Sequence, residues 1–195
     1  MDVAYDAKTA LVVVDVQNDF ADPAGSLSVA GAEKVIEAVN AEIAAARAAG
    51  AEVVYTQDWH PPHTPHFVTD GGPWPPHCVA GTPGADAADG LELPDGTMIV
   101  EKADTPAMDV YSPFPGTGFA DDLRARGVRR LVVGGLATDY CVLNTVTDAL
   151  AEGFDVVVLD DAVRAVDVEP GDGDRAEDAM RRAGARFATV EDLAA

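Results

Sequence analysis

Apolar runs and helical spacings alternate along this chain. ALVVVDVQ (10–17) carries Val at successive positions rather than at every second one, the pattern of a strand buried on both faces. AEKVIEAVNAEIAAARAAG (32–50) follows, with Val35, Ile36, Val39 and Ile43 at helical spacing and Gly50 as the stop. AEVVYTQD (51–58) and TMIVEK (97–102) read as the next two strands. FADDLRARG (119–127) reads as a helix closed by Gly127, and RRLVVGGL (129–136) as a fourth strand. CVLNTVTDALAEG (141–153) predicts a helix with Val142, Val146, Ala149 and Leu150 on one side. DVVVLD (155–160) is a fifth strand, GDRAEDAMRRAG (173–184) a helix and ARFATV (185–190) a last short strand. Strand and helix in succession predict right-handed crossovers. The fold class expected is α/β: a three-layer α/β/α sandwich with a mostly parallel, Rossmann-like central sheet of about six strands.

One segment breaks the rhythm. Residues 59–96 are rich in Pro, Gly and aromatics and show no period, which in a compact chain marks a functional loop. No repeat or low-complexity linker divides the sequence, so 195 residues are expected to form a single domain, 1–195. The net charge of −21 argues against a nucleic-acid partner, because phosphates would be repelled. No basic stretch leads into a long apolar run at the N-terminus, and the run from Ala10 to Val14 is too short for a bilayer, so no membrane association is expected. Two cysteines, Cys78 and Cys141, are too few for a secreted disulfide scaffold, and a reducing, cytoplasmic setting is expected.

In open parallel sheets ligands bind beyond the carboxyl ends of the strands. Asp15 ends the first predicted strand, Asp58 the second and Lys102 the third; Cys141 follows the fourth at the start of a helix. A buried carboxylate such as Asp15 must be paired or catalytic. A helix N-terminus and a neighbouring ammonium both favour the thiolate of Cys141. Together the residues have the makings of an activated nucleophile: a thiol, a proton carrier and a cation. All four histidines of the chain, His60, His63, His66 and His77, fall in DWHPPHTPHFVTDGGPWPPHC (58–78) with both tryptophans, Trp59 and Trp74. Imidazoles opposite a strand-end carboxylate suit a divalent ion such as Zn²⁺, Fe²⁺ or Mn²⁺. HPPHTPH offers more imidazoles than a site needs, and His63 is read as the bystander. No G-x-G-x-x-G follows the first strand, so dinucleotide binding is not indicated.

LVVVDVQNDF, DWH with a further His, WPPHCVAGTPGA, VEKADTPAMDVYSPF and GGLATDYCVLNTV closely resemble the nicotinamidases of the isochorismatase-like cysteine hydrolase superfamily, in order from about residue 8 to about residue 165. The resemblance implies that Cys141 is the nucleophile, Asp15 the general base and acid, and Lys102 the cation of a triad. It implies Asp58, His60, His66 and His77 as ligands of one divalent metal per chain, with Zn²⁺ preferred over Fe²⁺ or Mn²⁺. The backbone N–H groups of Ala137 and Cys141 are expected to form the oxyanion hole, after a cis Leu136–Ala137 peptide. Phe20, Trp74, Tyr111 and Leu136 are expected to bind substrate. Tyr140 stands where several relatives have His, and KADTPAMDVYSPF fits a longer version of that loop. The implied reaction is hydrolysis of nicotinamide, and of pyrazinamide, to the acid and ammonia. Relatives are often dimers or larger, so a homo-oligomer is the corresponding expectation. Two other readings are an amidohydrolase acting on a carbamoyl or ureido group, and a metal-binding domain without catalysis. The second explains the histidines but not the convergence of Asp15, Lys102 and Cys141.

Overall fold

The structure is a computed structural model that describes residues 4–102 and 111–193. Most of the KADTPAMDVYSPF segment thus lies outside the described residues. The elements are β1 (Thr9–Val14), α1 (Asn18–Ala21), α2 (Ala32–Ala48), β2 (Glu52–Asp58), β3 (Met98–Lys102), α3 (Phe119–Ala125), β4 (Arg130–Leu136), α4 (Leu143–Ala151), β5 (Asp155–Arg164), α5 (Asp172–Ala183), β6 (Arg186–Ala188) and α6 (Val190–Leu193). The six strands pair in the order β3-β2-β1-β4-β5-β6, and every pairing is parallel. The expected mostly parallel sheet is therefore wholly parallel among the described residues. Its order reverses between β1 and β4, where crevices for ligands form.

The continuous Val runs are explained by two cores. Alternate residues of each strand point to opposite faces. Leu11, Val13, Val53, Tyr55, Val132 and Leu159 pack on one face with Val35, Val39 and Ile43 of α2. Val12, Val14, Val54, Leu131, Val133 and Val158 pack on the other with Phe119, Leu123, Val146 and Met180 from α3, α4 and α5. Each such side chain contributes about 1.5–3 kcal/mol on burial. Helix α2 ends as its sequence predicts. Gly50 takes φ = 73°, and the Ala51 N–H reaches back to the Ala46 carbonyl at 2.9 Å.

Three local readings shift. The fifth strand continues past Asp160 to Arg164, because Ala162 and Val163 are buried beside β4 across a register shift between Val133 and Gly135. The segment before α4 is a wide π-type turn, Thr138–Val142, in which the Val142 N–H bonds the Ala137 carbonyl five residues back at 3.0 Å. On α2 the buried stripe includes Glu42, whose carboxylate accepts the Tyr5 hydroxyl at 2.6 Å.

Gly135 has φ = 128°, and a Cβ on it would run into the Val14 backbone. The Gly135→Ala protein should lose at least about 2 kcal/mol of unfolding free energy through overpacking. Urea denaturation reads this directly, and an unchanged midpoint would contradict the close approach of β1 and β4.

Candidate active site

The carboxyl edge of the sheet gathers the polar groups. Asp15 is the first residue beyond β1 and adopts φ = 47°, which turns the chain sharply out of the strand. Its N–H bonds the Thr56 carbonyl at 3.1 Å, and its Oδ1 accepts the Thr56 hydroxyl at 2.7 Å. Asp58 and Lys102 are partners across the β2–β3 register, each the last residue of its strand. The Lys102 ammonium is buried; its Nζ lies 2.7 Å from Asp15 Oδ2, 3.4 Å from Cys141 Sγ, and is ion-paired with Asp58 Oδ1. The structure thus brings the three predicted catalytic residues within bonding reach, and adds Asp58 to them.

The electrostatics follow from burial against pairing. Burial alone would disfavour the ammonium, but Asp15, Asp58 and Cys141 outweigh it, so the Lys102 pKa rises well above the ordinary value. Burial raises the Asp15 pKa, only partly opposed by Lys102. Burial also pushes the Cys141 thiol well above its usual range, with Lys102 pulling the other way. At Cys141 burial thus opposes the help from one cation, and the residue sits inside a π-type turn that leads into α4 rather than at a helix start.

The loop after β2 folds back through short backbone ladders. The His60 N–H bonds the Cys78 carbonyl at 3.0 Å and the Ala80 N–H bonds the His60 carbonyl at 2.9 Å. The Trp74 N–H bonds the His66 carbonyl at 3.2 Å and the Val68 N–H the Trp74 carbonyl at 2.7 Å. These pairings bring His60, His66 and His77 together, with one nitrogen of each within 4.8 Å of the others. Asp58 Oδ2 faces His60 Nε2 at 3.7 Å and His77 Nε2 at 4.0 Å. His63 stays apart, its side chain 85% exposed and beside Asp70 at 3.4 Å.

The cluster fits a divalent cation. His60 Nε2 is buried without a hydrogen-bond partner among the described residues. His77 Nδ1 lies 2.8 Å from the Pro75 carbonyl, so that nitrogen carries the proton and Nε2 turns its lone pair toward the cluster. Burial lowers the His77 pKa to about 4, keeping the ring neutral, as a ligand must be.

Beside these groups a pocket opens, walled by Phe20, Trp74, Tyr111 and Tyr140, with Ala137, Cys141, Asp58, His66 and His77 completing it. The Trp74 indole N–H donates to the Tyr111 hydroxyl at 3.1 Å, and Trp74 meets Tyr140 edge-on at 5.1 Å. Leu136 lies in the core instead, and the pocket residue is its neighbour Ala137 across a cis peptide. Leu27 and Val166 also line the pocket and went unread in the sequence; both come from loops whose apolar residues have no periodic signal.

A wholly parallel α/β sheet with a buried thiol, carboxylate and ammonium at its carboxyl edge defines a cysteine hydrolase. The isochorismatase domain model matches residues 9–195, and the chain belongs to that family. It is 36% identical to the nicotinamidase of Escherichia coli (strain K12), over 94% of this chain and 95% of that one. Among solved structures it resembles the pyrazinamidase of Pyrococcus horikoshii in complex with zinc, with 43% identity, a TM-score of 0.89 and coverage of 93% of this chain and 99% of that one. It also resembles a protein of L. infantum in complex with nicotinate, with 36% identity, a TM-score of 0.90 and 98% of both chains covered.

His77→Ala should leave the far-UV dichroism intact and strip the divalent ion from purified protein. Elemental analysis of parent and variant compares the two, and equal metal content would remove His77 from the cage.

Proposed function

We propose that this chain is a nicotinamidase, a metal-containing cysteine amidohydrolase that converts nicotinamide and water to nicotinate and ammonia through a thioester, and that accepts pyrazinamide. The observation that carries the reading is the Lys102 ammonium lying 2.7 Å from Asp15 and 3.4 Å from Cys141, next to three buried imidazoles and an aromatic pocket. Identity of 36% to two named nicotinamidases, over 94% and 82% of the chain, supports it.

Phe20, Trp74 and Tyr111 stack against the flat pyridine ring and hold the carboxamide carbon over Cys141. Asp15 accepts the thiol proton, and the sulfur attacks the carbonyl carbon. The backbone N–H groups of Ala137 and Cys141 stabilise the oxyanion, a contribution of roughly 3–4 kcal/mol per donor in comparable sites. Asp15 then passes its proton to the departing ammonia, leaving the thioester. Asp15 next deprotonates the incoming water, and breakdown of the second tetrahedral adduct releases nicotinate and restores the thiol. Lys102 keeps the carboxylate and the developing thiolate compensated throughout. Asp58, His60, His66 and His77 would hold a divalent ion, which we read as Zn²⁺, and it would supply Lewis acidity toward the ring nitrogen.

We read residues 1–195 as one catalytic domain. Among the described residues no helix is long and apolar enough to cross a membrane. Cys78 and Cys141 are free thiols, in keeping with the reducing, cytoplasmic setting that we propose.

Cys141→Ala should lower ammonia release from nicotinamide by about 10⁴-fold or more, with metal content retained. Appreciable turnover by that variant would reject the thioester. Release of ammonia from a ureido or carbamoyl substrate but not from nicotinamide would favour the other amidohydrolase reading.

Asp15 must be ionised to act, and its pKa is raised, so kcat/KM should fall as the pH drops through that raised value. The acid limb should therefore lie above the pH of about 4 at which an ordinary Asp titrates. A limb at or below that pH, with metal content constant, would remove Asp15 as the base.

A further inference from the structure

Gln17, the residue before α1, and Asn18 and Asp19, its first two residues, take no part in the chemistry above, yet their side chains grip the backbone of the histidine loop. Gln17 is buried. Its Nε2 donates to the Asp58 and Ala85 carbonyls, each at 2.8 Å, and its Oε1 accepts the Asp58 N–H at 2.8 Å. One side chain therefore clamps Asp58 at both backbone polar groups, as a neighbouring strand would. Asp19 Oδ2 accepts the Cys78 N–H at 2.7 Å, the peptide that leaves His77, while Oδ1 accepts the Ser26 N–H at 3.2 Å. Cys78 has φ = 44°, a conformation uncommon for a residue with a Cβ, so this peptide needs an external hold. A Cβ on Gly84 would occupy the space of the Asp19 carboxylate. Asn18, between the two, bonds the Pro83 carbonyl at 2.9 Å and the Asp89 N–H at 3.0 Å, gripping the same loop away from any imidazole.

We propose that Gln17 and Asp19 are positioning residues of the metal cage: Gln17 sets Asp58 and Asp19 sets His77, so the strand that delivers Asp15 also registers the metal ligands against it. Ligands held in place before the ion arrives bind it more tightly, because less ordering remains to be done. This inference rests on the metal-site reading above.

The test is a titration of chelator-stripped full-length protein with Zn²⁺ in the presence of a competing chelator, with turnover left aside. Asp19→Ala and Gly84→Ala should each weaken Zn²⁺ binding by about 10–100-fold. Gln17→Met should act likewise through Asp58. Asp19→Asn keeps an acceptor for the Cys78 N–H and should fall between parent and Asp19→Ala; being isosteric, it also guards against failure to fold. Asn18→Ala removes comparable loop bonds without touching either ligand's backbone, and should bind Zn²⁺ like the parent even where its Tm drops. Parental affinity in the folded Asp19 and Gly84 variants, or equal weakening in Asn18→Ala, would overturn the inference alone. No Zn²⁺ uptake by the parent would overturn the metal reading and this inference with it.

Discussion

The buried ammonium of Lys102 is the constraint on which the site depends. An unpaired charge at that depth would be prohibitively costly, and Asp15 and Asp58 make it tolerable. The pairing is not balanced, since one ammonium faces two carboxylates. The excess negative charge adds to burial in raising the Cys141 pKa, with Lys102 opposing. A divalent cation beside Asp58 would offset that excess, so the candidate metal cage and the thiol share one electrostatic problem through a single carboxylate, with Oδ1 on Lys102 and Oδ2 toward His60.

The scaffold delivers these groups by making each the terminal feature of a different strand. Asp15, Asp58 and Lys102 leave β1, β2 and β3 at one level of the sheet, because parallel pairing sets Val14 against Thr56 and Asp58 against Lys102. Cys141 arrives from β4 through a wide turn that keeps its sulfur facing Lys102. Close contact of β1 with β4 at Gly135 keeps the thiol side near the carboxylate side. Burial raises the pKa of Asp15, which makes it a stronger base toward the thiol than an exposed carboxylate would be, and it raises the pKa of the thiol as well.

Much of this was written in local pattern. Runs such as ALVVV and RLVV announced strands buried on both faces, and the spacing of Val35, Val39 and Ile43 announced a helix laid on them, because burial of apolar surface is periodic and local. The same logic put Asp15, Asp58, Lys102 and Cys141 at strand ends, and thus on one edge. The clustering of every imidazole between residues 60 and 77 announced a cation site by residue type alone.

Tertiary structure decided what depends on several chain segments at once. The gathering of His60, His66 and His77 came from ladders at His60–Ala80 and His66–Trp74 that no period marks. Leu27 and Val166 became pocket walls and Leu136 a core residue because of where distant loops lie. The electrostatics of Cys141 came the same way: helix-end and cation arguments from sequence favour a thiolate, whereas desolvation, a property of everything packed around the sulfur, raises its pKa. Hydrophobic period and residue type are carried by neighbours along the chain. Distance, burial and net local charge are carried by neighbours in space.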